Sequence, residues 1–284
     1  MPLRVLFIGD VVGKPGRVML TKALPGLIAR WDLHLVIANA ENAAGGSGLN
    51  EQCFREITNA GVDVLTMGDH VYKKKEVMPL LAQHRYILKP ANFPPEAPGA
   101  SYAIVRAKDG TPVGVFTVLG RVFMRPVDCP FRAADRILST IGEQAKVVIL
   151  DMHAEATSDK QIMGRYLDGR ASAVLGTHTH VPTADEQIFP GGTAYLTDVG
   201  MTGPYESILG RRIDRVSDTT VSFVPTFFDV ATGDPRLCAV KVEIDPANGR
   251  ALSIERVMVR EAEADALAAQ RGQPLESRST AHAR

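Results

Sequence analysis

Short apolar runs alternate with amphipathic stretches over the first third of the chain. "LRVLFIG" (3–9), "LHLVIAN" (33–39) and "VDVLTMG" (62–68) are almost wholly apolar, the pattern of strands buried on both faces. Helical spacing occupies 16–31 and 51–60, and a charged helical segment covers 73–83. Strands separated by helices predict βαβ units and a parallel sheet. Pro25 falls inside the first helical segment and is expected to kink or shorten it, because it brings no amide hydrogen.

After the Pro-rich loop "KPANFPPEAPG" the pattern changes. "SYAIVRAKDGTPVGVFTVLG" reads as two strands around Asp109-Gly110, a hairpin signal. A helix at 131–145, the strand "KVVILDM", a helix at 158–168 and the strand "ASAVLG" follow. From residue 186 most segments look extended, and "PANG" (246–249) turns the chain between "LCAVKVEID" and "LSIERVMVR". From Ala262 the composition shifts to Ala, Glu and Arg with only two leucines, which predicts a tail that is a frayed helix or disordered. No repeat and no clear linker interrupts the chain. Residues 1–261 are therefore read as one α/β domain, with a mixed sheet or two packed sheets, and 262–284 as a tail.

Composition removes several classes of function. Lys plus Arg and Asp plus Glu both number 32, so there is no basic excess of the kind a duplex-binding protein shows. A small phosphorylated ligand, which needs only local positive charge, is still allowed. Cys53, Cys129 and Cys238 are far apart and form no CxxC pair, which argues against a disulfide framework or a Cys-rich zinc site. They are read as reduced thiols of a cytoplasmic protein. "MPLRVLFIGD" meets an acid too soon for a secretion signal. No run approaches about 18 apolar residues, so no membrane span is expected.

Chemistry gathers where the predicted strands end. The first ends at Asp10, the second runs into Glu41-Asn42 and the third into Asp69-His70; two later ones end at His153 and in "GTHTH", which carries His178 and His180. Ligands of open α/β sheets bind beyond the carboxyl ends of strands. Three carboxylates, an amide and four imidazoles crowded together would be costly without a counter-charge. Metal cations remove that cost, since carboxylate and neutral imidazole suit Zn, Mn or Fe. The donors are too many for one ion, and two ions sharing a carboxylate fit better. One histidine at a strand end would mean little, whereas an HxH pair in a strand presents both rings on one face. His34, His84 and His282 have no such setting and receive no role. "GDVVGKPG" is one residue short of a phosphate-binding loop and has Pro15 after Lys14. "GGSG" (45–48) lacks the spacing of a dinucleotide fingerprint and reads as a flexible loop. "KKK" (73–75) reads as a solvated helix start.

These strand-end residues resemble those of the calcineurin-like metallophosphoesterases. "LFIGDVVGKPGR", "NAENAAGG", "DMHAEATSDK", "GTHTHVPTADE" and "TDVGMTGPYES" are similar to the YmdB-like branch, a group of bacterial phosphodiesterases. The resemblance spans Leu3 to about Gly210. It implies a two-sheet αββα sandwich with mixed sheets. It also implies two divalent or mixed-valence metal ions per chain, with Fe or Mn favoured over Zn. Asp10, Asn42 and His180 would hold one ion, Asp69, His153 and His178 the other, and Glu41 would bridge them. His70 would be the catalytic acid. The implied activity is hydrolysis of small phosphodiesters, 2′,3′-cyclic nucleotides above all, by a hydroxide bridging the metals.

One departure changes the charge. The family pattern has Asn where this chain has Asp69. A carboxylate can take the same place, but it lowers the net charge of two divalent ions with their acids from about +2 to about +1. Tighter cation binding, weaker Lewis acidity and weaker attraction for phosphate are expected. Lys89 in "LKPANFP" replaces an expected arginine in a structural loop. An amidohydrolase also uses an HxH pair, though early in its chain. A non-catalytic metal-binding regulator or RNA-decay adaptor is the other alternative. The sequence leaves open whether the chain forms a homo-oligomer.

Overall fold

A computed structural model describes residues 1–271 of the 284. The chain begins with β1 (Leu3–Ile8), β2 (Asp10–Val11), α1 (Gly13–Trp31), β3 (Leu35–Asn39), α2 (Glu51–Asn59), β4 (Val64–Thr66), α3 (Val77–Gln83) and β5 (Ile87–Leu88). It continues with β6 (Tyr102–Arg106), β7 (Pro112–Leu119), α4 (Pro130–Ile141), β8 (Val147–His153), α5 (Thr157–Tyr166) and β9 (Ala173–Thr177). The last part holds β10 (Gln187–Ile188), β11 (Ala194–Leu196), β12 (Met201–Glu206), α6 (Ile213–Ser222), β13 (Gly233–Ile244), β14 (Ala251–Arg260) and α7 (Glu261–Arg271).

Two mixed sheets result. The first has the order β2-β12-β13-β1-β3-β4-β5, with β14 on β13. Its β1, β3, β4 and β5 are parallel, while β13 runs antiparallel to β1. The second has the order β10-β11-β9-β8-β7-β6 and is parallel through β7, β8, β9 and β11.

Strand alternation sends successive side chains to opposite faces, and here both faces are apolar. Leu3, Val5 and Phe7 of β1 meet Val147 and Ile149 of β8 in a core between the sheets. Leu6 and Ile8 turn outward into a core shared with Leu20, Leu24 and Leu27 of α1 and Ile57 of α2. On the far side, Leu150 and Met152 pack with Ala133 and Ile137 of α4 and Met163 of α5. The layers are helix, sheet, sheet, helix, the two-sheet sandwich that the resemblance implies.

Several elements differ from the sequence reading. Helix α1 is not shortened at Pro25 but runs on to Trp31. "IDRVSDTTVS", read within an extended region, is helix α6 and has no buried residue, so it lacks the apolar stripe that marks a packed helix. The short strand β5 was hidden beside the Pro-rich loop. The lysines at 73–75 precede α3, which begins only at Val77. Of the frayed helix or disorder expected from Ala262, the described part is helical, but packed: α7 extends to Arg271, with Ala264 and Leu267 buried in the α1 core. The rest of that tail lies outside the described residues. Among the described residues no helix is long and apolar enough to cross a membrane.

Candidate metal centre

Parallel pairing aligns the carboxyl ends of β1, β3 and β4 in one sheet and of β8 and β9 in the other. At that edge the layer between the sheets turns polar: Asn39, Thr66, Asp151, His153 and Thr177 are all buried. Beyond it, one ligand atom from each of Glu41, Asp69, His153 and His178 lies within 4.8 Å of the other three. Glu41 and Asp69 come from the first sheet's loops, and the two histidines come from the second sheet.

His153 Nε2 is the centre of this group. It lies 3.3 Å from Glu41 Oε1, 3.3 Å from Asp69 Oδ1 and 3.1 Å from His178 Nδ1. One nitrogen carries at most one proton and cannot satisfy three acceptors at once. A cation can, so the donor set fits a metal ion of the kind that carboxylate and imidazole bind. Gly68 leaves the room: a Cβ there would collide with His153 Nε2 and Glu41 Oε2.

Asp10, Asn42 and His180 lie beside this set. Asp10 is fully buried, and its Oδ1 has no hydrogen-bond partner, an orphan that would be costly in a dry interior. The atom facing it is His180 Nε2, at 3.8 Å. His180 Nδ1 lies 3.0 Å from the Leu209 carbonyl. Donation to that carbonyl leaves Nε2 with its lone pair, the state a ligand requires. Asn42 turns Nδ2 towards His180 Nε2 at 3.1 Å and Oδ1 towards His70 Nδ1 at 2.7 Å. Ligation by Asn42 would need its Oδ1 turned the other way.

Charge is finely balanced here. Burial pushes the Asp10 carboxyl up to about 6. Burial also opposes ionisation of Glu41 and Asp69, but His153 and His70 hold both below their ordinary values. Burial works against charge on His153 as well, yet Glu41 and Asp69 outweigh it and raise its pKa well above the imidazole norm. His178 goes the other way: burial and the charge on His153 push it down to about 4. A bound cation would stabilise the carboxylates without requiring any imidazole to carry a proton.

The histidine pair is not presented as a strand pair. Strand β9 stops at Thr177, and His178 and His180 have φ of 97° and 65°. Left-handed backbone is uncommon for residues with side chains and clusters at functional sites. "AAGGSG" is likewise no free loop. The Gly48 amide donates to the Glu41 carbonyl, Ala44 N to Gly48 O at 2.9 Å, and Gly45, Gly46 and Gly48 all take positive φ. Arg211 donates to the carbonyls of Gly45 and Gly46.

His70 lines the open side and is partly exposed, with its amide donating to Glu41 Oε2 at 3.0 Å. His34 Nδ1 accepts from Arg4 N, and His84 stacks on Phe54 at 4.6 Å, so neither belongs to the cluster. His282 lies outside the described residues. Lys89 donates to the Pro94 carbonyl at 3.1 Å within its loop. A cavity of about 560 Å³ bounded by Arg165, Tyr166, Phe189 and Tyr195 lies elsewhere and contains neither carboxylate nor imidazole.

Residues beyond the predicted set support the donors. His153 Nδ1 lies 2.8 Å from Thr177 Oγ1, which donates to Asp151 Oδ1 at 2.6 Å. That chain makes Nδ1 the protonated nitrogen and leaves Nε2 for a metal. Glu155 stands 3.2 Å from His178 Nε2 and accepts the proton that leaves Nδ1 free. Asp151 could have been found, since strand alternation puts it on the same side as His153. Thr177 and Glu155 carry no such signal.

Two mixed sheets between helical layers, with carboxylates and imidazoles converging at their seam, define a metallophosphoesterase-type protein. Comparison with known proteins places it further. The family model described as "YmdB-like protein" matches residues 6–257, and the chain belongs to that family. It is 43% identical to a 2′,3′-cyclic-nucleotide 2′-phosphodiesterase of Bacillus subtilis (strain 168), over 91% of this chain and 98% of the relative. Its fold matches the crystal structure of a hypothetical protein from Thermus thermophilus with a TM-score of 0.86, at 44% identity, over 91% of this chain and all of the other. A crystal structure of a novel phosphatase from Mycoplasma pneumoniae also matches with a TM-score of 0.86, at 28% identity, over 92% and 94% of the two chains.

Proposed function

We propose that this chain is a metal-dependent phosphodiesterase that opens 2′,3′-cyclic nucleotides at the 2′ oxygen, the bond named for its Bacillus relative. The observation that carries this reading is the donor set of Glu41, Asp69, His153 and His178 within 4.8 Å, on a chain of that family. Asp69, His153 and His178 would hold one ion, Asp10, Asn42 and His180 a second, and Glu41 would be shared. The absence of thiolate from the set favours Mn or Fe and allows Zn. Bound ions of this kind lower the pKa of water and draw charge from phosphoryl oxygens.

The protein's own contribution is orientation and proton handling. His70 Nδ1 lies 2.7 Å from Asn42 Oδ1 and 3.3 Å from Glu41 Oε1, and its Nε2 lies 3.6 Å from Asp69 Oδ2. Protonated at Nε2, His70 gives that proton to the leaving oxygen as the P–O bond breaks. Asp69 adds a negative charge, which favours retention of cations and disfavours the approach of a phosphate. The protein is proposed to work in the cytoplasm on small substrates, with its three cysteines reduced.

The test is hydrolysis of 2′,3′-cyclic AMP by metal-loaded protein, with metal analysis of the same sample. Release of the 3′-nucleotide by protein holding close to two ions per chain supports the reading. A rate equal to that of Mn²⁺ alone, on both this substrate and bis-p-nitrophenyl phosphate, would overturn it.

A further inference from the structure

The donor set takes only His153 from "DMHAEATSDK" and no residue from "TDVGMTGPYES". Each stretch contributes one member of a buried ion pair. Lys160 of α5 and Asp198, in the turn between β11 and β12, have side chains 1% and 0% exposed, with Nζ 2.6 Å from Oδ2. A lysine so deeply buried is held only by a counter-charge, and the place of this pair is informative.

Asp198 faces the loop between the two histidines. Its Oδ2 also accepts from the Thr179 amide at 3.2 Å and the Thr179 hydroxyl at 2.7 Å, and its Oδ1 accepts from Gly200 N at 2.8 Å. Thr183 clamps the same residue: its amide donates to the Asp198 carbonyl at 3.0 Å, and its hydroxyl accepts from Asp198 N at 2.9 Å. Thr179 stands between His178 and His180, whose left-handed φ values need surroundings that over-determine them. Both polar groups that Thr179 offers on this side end on one carboxylate oxygen.

We infer that the Lys160–Asp198 pair is a positioning device for the metal centre: acting through Thr179, it fixes the left-handed loop that aims His178 and His180 at their separate partners. The assignment rests on the metal-dependent reading above. His178 belongs to the four-donor set and His180 faces Asp10, so one pinned peptide governs donors on both sides of the centre. Lys160 gives the Asp198 carboxylate a partner in a place without solvent. Neither residue reaches the open side where a substrate would lie, so the effect falls on metal affinity and not on substrate binding.

Three variants separate this role from simple stabilisation. Thr179→Val removes the hydroxyl at nearly constant volume, Thr179→Ser keeps it, and Lys160→Met removes the counter-charge but leaves the hydrogen bonds to Asp198. Mn²⁺ is titrated into each metal-free protein by calorimetry, with melting curves and amide exchange over residues 178–181. Thr179→Val and Lys160→Met are expected to weaken Mn²⁺ binding by about 10–100-fold, to speed exchange in the loop, and to keep the wild-type KM at saturating Mn²⁺. Thr179→Ser should stay within about twofold of wild type. Wild-type Mn²⁺ affinity in Thr179→Val and Lys160→Met, even with lowered melting temperatures, would overturn the inference. Failure of the wild-type protein itself to bind Mn²⁺ would overturn the metal-dependent reading instead.

Discussion

Asp69 and His70 are adjacent and have opposite tasks, so substitution should separate them. His70 touches the donor set through Asn42 and Glu41 but lies on its open side. His70→Ala is expected to lower kcat by about 10²–10⁴ while metal content is unchanged. Loss of an ion on elemental analysis would make His70 a ligand and not an acid. Asp69→Asn should weaken cation retention and lower KM for a phosphodiester, because one negative charge leaves the site. A metal titration paired with KM on the same protein checks both directions. The eight candidate residues were chosen by type and by place, since each follows a predicted strand, and four of them converge. Their geometry was not legible. The histidine pair looked like strand alternation, but the strand stops at Thr177 and two positive φ values aim the rings. Backbone of that kind leaves no mark in a sequence when the residue is histidine and not glycine.

At the level of elements, sequence patterns served best where burial is periodic. Strands β1, β3, β4, β8 and β9 carry long apolar runs because helices cover their outer faces, and each was found. Helix α6 was missed because it buries nothing, and β5 because two residues make no pattern. Helix α7 was read as a frayed helix or disorder, and its packing was missed because two buried residues per three turns are a weak stripe. Its packing is nonetheless close: the Leu267 side chain lies against Gly26 of α1, and Leu267 is almost fully buried. Leu267→Ala should cost about 2–4 kcal/mol of stability, read from denaturant melts, with metal content unchanged. A loss below about 0.5 kcal/mol would mean that α7 is an appendage and not part of the core.

For the molecule as a whole, thiols report global opening. Burial pushes Cys238 up to about 11 and also raises Cys53, whereas Cys129 is only half-buried. The thiolate is the reactive form, so near pH 8 one thiol should be alkylated quickly in the native protein and all three after unfolding. Mass spectrometry counting two or three fast labels would contradict the burial described. Metal should slow this opening. Ions held 100-fold above their Kd would add about 2.7 kcal/mol per site, and chelation should lower the melting temperature accordingly. The two-sheet arrangement gives the centre a history as well as a shape. Glu41 and Asp69 leave the ribosome early, whereas His153 and His178 follow with β8 and β9 of the second sheet. A growing chain therefore holds half a chelate from residue 69 until residue 178 is made, and hydrolytic competence waits until the two halves first dock against each other.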